Sequence, residues 1–243
     1  MNKIPQITLA FWIMKICATT LGETAGDLLS MTMKIGYALS SLILISVFFL
    51  TLFAQLATKK FNPVLFWTVI LSTSTAGTTM SDYMDRTLAL GYATGSLILS
   101  GILVIIFIVW RLSEKTLSVT NITTFRGEVF YWSAILFSNT LGTALGDYLA
   151  DDSGLGFLGG AVLIGSLLLV VIVAYRFTKI STILLFWIAF VLTRPFGATF
   201  GDLLTKSTEK GGLNFGTIGS SIILFSMLVG LIIFDSVRKK KVA

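Results

Sequence analysis

Eight apolar runs, separated by short charged or glycine-rich breaks, constrain the fold of this 243-residue chain more than any other feature. The hydrocarbon core of a bilayer is about 30 Å thick, and a helix needs about 20 apolar residues to cross it. In lipid, only helices and closed barrels satisfy their own backbone groups. Runs of this length predict an all-α integral membrane protein with eight transmembrane helices. The runs cover residues 8–29, 35–57, 63–83, 88–110, 129–149, 156–175, 181–204 and 214–234.

The composition excludes several classes of protein. Apolar residues make up 55% of the chain and charged residues only 12%, whereas about a quarter of the residues in soluble domains are charged. The single cysteine forms no internal disulfide, and the lack of histidine removes the commonest metal ligand and acid–base catalyst. A cytosolic enzyme, a nucleic-acid-binding domain and a secreted disulfide scaffold are therefore not expected, and no cofactor is predicted.

The basic residues predict the orientation. Twelve lie on the side that holds both termini, four lie on the other side, and Lys15 and Arg194 lie within spans. The positive-inside rule makes both termini cytoplasmic. We expect one inner-membrane domain, residues 1–243, with a cytoplasmic linker at 111–128. The twelve are Lys3, Lys59, Lys60, Arg111, Lys115, Arg126, Arg176, Lys179, Arg238, Lys239, Lys240 and Lys241, and the four are Lys34, Arg86, Lys206 and Lys210.

A pattern, W-x9-G-x3-[GS]-D, occurs four times and divides the chain into two-helix repeats at 8–57, 63–110, 129–175 and 181–234. The tryptophans Trp12, Trp67, Trp132 and Trp187 are spaced by 55, 65 and 55 residues, so the chain is a duplicated pair of repeats. Because each repeat has two spans, all four enter the membrane in the same direction. The sequence predicts parallel repeats related by a pseudo-two-fold axis along the membrane normal.

Through these four tryptophans and the glycine and aspartate pattern that follows them, the chain resembles a family of bacterial membrane proteins. Its members are built from a tandem repeat of unknown function, usually in four copies, each with two transmembrane regions and a recurrent tryptophan. The resemblance covers essentially the whole chain and implies eight helices. It implies no activity.

Small residues four apart create notches at which another helix approaches closely. We therefore expect the odd-numbered helices to pack tightly together; the alternative is that these glycines bend the helices and expose carbonyl ligands. The four pairs are Gly22 and Gly26, Gly77 and Ser81, Gly142 and Gly146, and Gly197 and Gly201.

An aspartate directly follows each pair, and these carboxylates predict an ion or proton site because ionisable groups inside spans are usually functional. The alternative is that they lie in the interfacial zone, solvated or paired with Lys34, Arg86, Lys206 or Lys210. A second polar layer is expected two turns earlier, although a threonine there can instead bond to its own helix. The aspartates are Asp27, Asp82, Asp147 and Asp202, and the second layer is Thr19, Thr20, Ser74, Thr75, Asn139 and Thr140, with Arg194 and Pro195 at these positions of the fourth repeat.

The repeats differ at three further ionisable residues. Glu23 lies four residues before Asp27 and hence on the same helix face. A buried Arg194 needs a partner, for which Glu23 and Asp147 are candidates. Lys15 is a second intramembrane cation, with snorkelling to the cytoplasmic surface as its alternative role. We expect Arg194 and Lys15 to act as counter-charges that exchange with a bound cation.

Oxygen ligands without histidine favour a hard divalent cation, Mn²⁺ or Mg²⁺, over zinc. The sequence thus predicts a cation transporter, working by proton exchange, with Glu23, Asp27 and Asp147 as the metal ligands. Its expected partners are membrane lipid and the transported ion, and association with further copies of the chain stays open. The alternatives are a non-transporting scaffold and a proton-coupled exporter of a small organic solute. An enzyme is not expected, because the sequence contains no Ser/His, HExxH or phosphate-loop pattern and Asp151-Asp152 is the only adjacent acidic pair outside the spans.

Overall fold

A computed structural model describes residues 3–242, except for the side chains at 121 and 239–242. The described chain contains eight long helices and no strand. The side chains of Lys239, Lys240 and Lys241, which contribute to the predicted orientation, lie outside the described residues. The helices are α1 (Leu9–Asp27), α2 (Tyr37–Ala57), α3 (Pro63–Asp82), α4 (Tyr92–Glu114), α5 (Phe125–Asp147), α6 (Gly156–Phe177), α7 (Thr182–Thr205) and α8 (Thr217–Val242).

Five of these helices, α2, α4, α6, α7 and α8, are long and apolar enough to cross a membrane. The other three are rich in threonine, serine and glycine and carry ionisable residues, so they do not reach that apolarity. The membrane-like character of the chain is therefore supported. Crossing of the membrane by all eight helices stays a prediction.

Local sequence explains where the odd helices begin and end. Side-chain oxygens of Thr8, Asn62 and Thr124 accept hydrogen bonds from backbone amides three residues later and cap α1, α3 and α5. These three helices then continue into single turns of π-helix at 28–32, 83–87 and 148–152. After α7 there is instead a short 3₁₀ turn at Thr208–Lys210.

The four odd helices form a closed ring. In this ring α1 packs against α3, α3 against α5, α5 against α7, and α7 against α1. The even helices surround it, and each lies mainly against the first helix of the next repeat: α2 on α3, α4 on α5, α6 on α7 and α8 on α1. This circular order shields the more polar odd helices behind apolar ones.

The predicted glycine notches lie at the ring contacts. A Cβ atom at the first glycine of each repeat would collide with the next helix of the ring, and one at the second glycine would come nearly as close. The predicted close packing is therefore what these residues provide. The first contacts are Gly22 with Ser74, Gly77 with Asn139 and Thr140, Gly142 with Arg194 and Pro195, and Gly197 with Thr19; the second are Gly26 with Thr78, Gly146 with Ala198, and Gly201 with Glu23.

Aromatic side chains close one end of the ring. The aromatic residue that precedes each tryptophan contacts a tryptophan of a neighbouring repeat, with ring centroids 5.6–6.2 Å apart. Since the four aspartates lie together at the opposite end, the odd helices run parallel, as the repeat pattern predicts. The pairs are Phe11–Trp67, Phe66–Trp132, Tyr131–Trp187 and Phe186–Trp12.

We predict that Gly22→Ala lowers the free energy of unfolding by about 1–3 kcal/mol, because the new methyl group overpacks the contact with Ser74. Gly101→Ala in α4 is the matched control, since a Cβ there meets open space. It should be neutral or stabilise by up to about 1 kcal/mol through helix propensity. Thermal unfolding of the detergent-purified protein measures both, and equal effects would contradict the notch assignment.

Candidate functional site

The interior of the ring is built from side chains at every fourth residue of each odd helix. Counting from the tryptophan of each repeat, the positions −1, +3, +7, +11 and +15 supply five layers of four residues, all with exposed fractions of 9% or less. The layers run from aromatic at one end to acidic at the other. They are Phe11, Phe66, Tyr131, Phe186; Lys15, Ile70, Ile135, Phe190; Thr19, Ser74, Asn139, Arg194; Glu23, Thr78, Thr143, Ala198; and Asp27, Asp82, Asp147, Asp202.

Lys15 lies fully buried near the aromatic end. Its Nζ lies 3.3 Å from Asn139 Oδ1 and 4.0 Å from the centroid of the Phe190 ring. Among the described residues no carboxylate pairs with it. Lys15 therefore points into the ring and does not snorkel to the surface, because the helix face at Lys15 is covered on all sides by other odd helices.

Asn139 joins α5 to α3 within the next layer. Its Nδ2 donates to Thr73 Oγ1 at 2.8 Å and to Ser74 Oγ at 3.2 Å. On the other side of the ring, Thr19 Oγ1 donates to the Thr193 carbonyl of α7 at 3.1 Å. These bonds satisfy most of the polar groups of this layer within the protein.

Arg194 crosses from α7 to the centre of the ring and pairs with Glu23, one of its two predicted partners. Its Nη2 lies 2.9 Å from Glu23 Oε2, 2.6 Å from Thr78 Oγ1 and 2.5 Å from Thr143 Oγ1. The guanidinium is fully buried, yet Nε and Nη1 have no hydrogen-bond partner in the part of the chain that is described. One nitrogen of Arg194 thus links all four odd helices. Leaving the buried donors Nε and Nη1 unpaired within the described chain costs free energy of folding.

At the acidic end, two cations bridge the aspartates in pairs. Arg86 lies 2.7 Å from Asp82 and 3.2 Å from Asp147, which joins α3 to α5. Lys206 lies 2.6 Å from Asp27 and 3.0 Å from Asp202, which joins α1 to α7. Each cation lies four residues after an aspartate of its own repeat, and the two are 120 residues apart. This is the two-fold duplication expected from the tryptophan spacing.

These pairings correspond to the predicted alternative for the aspartates, in which interfacial cations compensate them. Burial lowers the pKa of Lys206, but the adjacent Asp202 and Asp27 raise it by more than burial lowers it. The pKa of Lys206 therefore lies above its ordinary value. The pKa of Arg86 is likewise raised by Asp82 and Asp147 against the effect of burial. Both side chains are therefore charged at neutral pH.

Three carboxylates come close enough to share an ion. One oxygen each of Glu23, Asp147 and Asp202 lie within 4.8 Å of one another, and all three residues are buried. The predicted ligand set contained Asp27 in place of Asp202. The structure instead brings Asp202 beside Glu23, because α7 packs against α1 through Gly201 and presents its aspartate to that contact.

Three threonines of the predicted second polar layer, Thr20, Thr75 and Thr140, face away from the ring centre. Hydroxyl groups of Thr20, Thr75 and Thr140 donate to carbonyls three or four residues earlier in their own helices, at 2.9–3.2 Å. This is the alternative that the sequence left open. They lie one residue beyond the inward-facing position, which Thr19, Ser74, Asn139 and Arg194 of that predicted layer occupy.

Sequence reasoning missed the contacts of Thr78 and Thr143 with Arg194, and it did not specify that Arg86 and Lys206 each join two aspartates. Thr78 and Thr143, which hold Arg194, occupy the position that corresponds to Glu23 in their repeats, so a comparison of the inward-facing stripe would have found them. The bridging role of Arg86 and Lys206 is signalled by the aspartate four residues before each of them. Only the second and fourth repeats carry that D-x3-[RK] pattern.

Asp85, in the turn after α3, is a further buried carboxyl at the acidic end. Ser81 Oγ donates to its Oδ2 at 3.2 Å, while Oδ1 has no hydrogen-bond partner among the described residues and lies against Gly95 of α4. Burial raises the pKa of Asp85 to about 6, and the contacts with Ser81 and Arg86 offset only part of that shift. Asp85 therefore titrates below neutral pH without taking part in the ring.

Comparison with known protein families identifies the repeat. The family described as Repeat of Unknown Function (DUF347) matches four segments, residues 10–61, 65–116, 130–181 and 185–241. These matches cover most of the chain and confirm the four tandem repeats. No curated protein and no solved structure matches the chain.

Replacing Lys206 tests the bridge between Asp27 and Asp202. Lys206→Gln leaves two buried carboxylates without their cation and should lower the free energy of unfolding by about 1.5–3 kcal/mol. Adding Asp202→Asn should recover part of that loss, because one of the facing charges is removed. Lys210→Gln, at an exposed position of the same loop, is the control, and an equal effect of both lysine substitutions would argue against the bridge.

The raised pKa of Asp85 predicts a dependence of stability on pH. Because the folded chain binds this proton more tightly than the unfolded chain, the contribution of Asp85 to stability falls as pH rises from about 4 to about 6. Over this pH range the thermal unfolding midpoint of Asp85→Asn should fall by a few degrees less than that of wild type, which corresponds to about 1 kcal/mol of unfolding free energy. Asp152→Asn, exposed in the corresponding turn of the third repeat, should keep the wild-type profile.

Proposed function

The chain belongs to the family built from the Repeat of Unknown Function (DUF347), and we propose that it is a cation transporter of a bacterial inner membrane. Its substrate is a hard divalent cation, Mn²⁺ or Mg²⁺, exchanged for protons. All eight helices cross the membrane, both termini are cytoplasmic, and the ring of odd helices lines the pathway. The chain acts as a transporter rather than an enzyme.

Helix arrangement and charge placement support the membrane part of this proposal. The even helices expose large apolar side chains such as Leu42, Leu97 and Val170 on the outside, as lipid contact requires. The more polar α1, α3 and α5 are covered by their neighbours and need not be apolar all round. Most basic residues lie near the aromatic end of the ring, and the positive-inside rule supports a cytoplasmic position for that end.

The observation that carries the proposal is the group of buried carboxylates from Glu23, Asp147 and Asp202, with oxygens within 4.8 Å. Well-packed apolar residues stabilise a buried core at least as well as buried charges do. Ionisable groups at membrane depth therefore indicate function more than stability. A scaffold that only had to pack its helices could use the glycine notches alone.

Charge balance favours a divalent ion. The two acidic layers contain five carboxylates, and three cations pair with them: Arg194, Arg86 and Lys206. In their ionised forms these groups carry two more negative charges than positive ones. Within these two layers either two protons or one divalent cation compensates that excess; the buried Lys15 lies two layers nearer the aromatic end than Glu23. Exchange of one for the other would leave the net charge of the ring unchanged, which is the basis of the proposed antiport.

The ligand chemistry narrows the choice of ion. Carboxylate oxygens, with threonine hydroxyls and helix carbonyls beside them, suit Mg²⁺ and Mn²⁺, while zinc and copper usually recruit histidine or cysteine. The chain has no histidine, and its one cysteine, Cys17, lies elsewhere against α8. The substrate class is therefore an oxygen-preferring divalent ion.

Protein cations compete with the proposed substrate for the same oxygens. Glu23 is held by Arg194, and Asp202 by Lys206. To bind an ion these carboxylates must release their cations, and the two unused nitrogens of Arg194 show that its present partners do not saturate it. The aromatic end of the ring is closed in this arrangement. Ion entry would thus be coupled to the breaking of salt bridges, as alternating access requires.

Transport measurements test the proposal. We expect reconstituted wild-type protein to move Mn²⁺ or Mg²⁺ into proteoliposomes when a proton gradient is imposed, and Asp147→Asn and Asp202→Asn to lower that flux at least about tenfold. Asp152→Asn is the matched control, because it removes an exposed carboxylate at the same end of the ring.

Folding of each variant is checked by its thermal unfolding midpoint before flux is compared. Full flux in folded Asp147→Asn and Asp202→Asn variants would remove the carboxylates from the pathway. Absence of wild-type flux for Mn²⁺, Mg²⁺ and Ca²⁺ under gradients of either direction would overturn the proposal in favour of an organic solute or a scaffold.

A further inference from the structure

The linker between the second and third repeats is longer than the other two and builds a groove on the outside of the ring. It runs over residues 115–124, whereas the corresponding links cover residues 58–62 and 178–181. Its five or six extra residues account for about half of the difference between the second tryptophan spacing, 65, and the other two, 55; a longer α4 and an earlier start of α5 supply the rest. Because the packing of the odd helices is the same at every ring contact, the extra residues must fold outside the ring.

The linker is fixed against the protein at several points. Val119 and Ile122 are buried, with exposed fractions of 5% and 6%. The indole nitrogen of Trp187 donates to the Leu117 carbonyl at 3.0 Å. The segment is therefore an ordered wall and not a loose connection.

Between this wall, the end of α4 and the first half of α7 lies a cavity of about 730 Å³. Phe107 and Trp187, in edge-to-face contact at 4.8 Å, form part of its lining, together with aliphatic side chains of α7 that include Leu184, Ile188 and Val191. Leu184 and Ile188 are exposed to 53% and 38%. The groove is thus apolar, open to the side and continuous with the surface that we assign to lipid.

Two cations stand at the rim of the groove. Arg111 and Lys115 line it, four residues apart at the end of α4, and both are exposed. Glu114, the acidic residue between them in sequence, lies on the side of Gly127 of α5 and is not part of the lining. No other repeat has two basic residues at these positions, where Leu56 and Lys60, Arg176 and Ile180, and Leu231 and Asp235 stand instead.

We propose that this groove is a binding site for an anionic phospholipid. Arg111 and Lys115 bind the phosphate of the headgroup, and an acyl chain lies along Phe107, Trp187 and the aliphatic residues of α7. A basic rim beside an apolar groove between membrane helices provides both halves of such a molecule with a complementary surface. The predicted cytoplasmic position of this end matches the leaflet that supplies anionic headgroups. The proposal needs the helices to lie in a membrane but does not depend on ion transport.

Native mass spectrometry of the detergent-purified full chain tests the site with phosphatidylglycerol and, as the neutral probe, phosphatidylcholine of the same acyl chains. We expect wild type to retain phosphatidylglycerol preferentially. Arg111→Gln/Lys115→Gln should weaken that binding about ten- to thirtyfold, since each basic residue at a membrane surface contributes roughly 1 kcal/mol.

Two further variants separate the groove from general surface charge. Lys59→Gln/Lys60→Gln removes the same number of exposed charges from another link at the same end and should bind like wild type. Ile188→Trp keeps the charges but fills the groove, and should also weaken binding. Unfolding midpoints without added lipid confirm that each variant is folded.

Several outcomes would overturn the proposal. Equal retention of both lipids by wild type would show that the basic rim does not select a headgroup. Unchanged binding by Arg111→Gln/Lys115→Gln would place the lipid elsewhere, and unchanged binding by Ile188→Trp would reduce the interaction to surface charge. Failure of wild type to retain any phosphatidylglycerol would leave the groove to a different occupant, such as an acidic protein segment.

Discussion

Close contact between glycines of one odd helix and the next odd helix is the constraint on which the rest of the structure depends. At Gly22, Gly142 and Gly197 there is no room for a Cβ atom beside the neighbouring helix. Four helices held this closely can form a closed ring, and closure brings every fourth residue of each helix to a common interior. In lipid, where helices gain little from apolar contact with each other, such backbone approach is the principal source of packing energy.

Polar groups in a buried interior of this kind must compensate one another. The contacts within the ring follow two kinds of symmetry. Its glycine and aromatic contacts repeat four times, whereas its charge bridges repeat twice, through Arg86 and Lys206. Among the described residues no cation bridges the aspartates of α5 and α7, and the carboxylates of Asp147 and Asp202 come together there with Glu23. The lower symmetry of the charges thus creates the acidic cluster.

The same loss of symmetry occurs on the outside of the ring. One linker has additional residues and is tied down by Trp187, a residue that also belongs to the aromatic closure. Trp187 therefore contacts both the linker and the end of the ring opposite the aspartates. This contact connects the outer surface beside α7 to the ring of odd helices.

The sequence by itself determined the all-helical architecture, the four repeats, their common direction and the glycine notches. Each of these depends on periodicity within one segment, which local sequence records. It also named Glu23 as one of two candidate partners for Arg194, the other being Asp147. Only the tertiary structure decided that Asp202 rather than Asp27 joins Glu23 and Asp147, that Lys15 is buried in the ring, and that Thr20, Thr75 and Thr140 bond to their own helices. The carboxylate grouping depends on which helix packs against α1 to complete the ring. The threonine orientation depends on a difference of one residue, about 100°, around each helix axis. The spacing within a single repeat specifies neither of these.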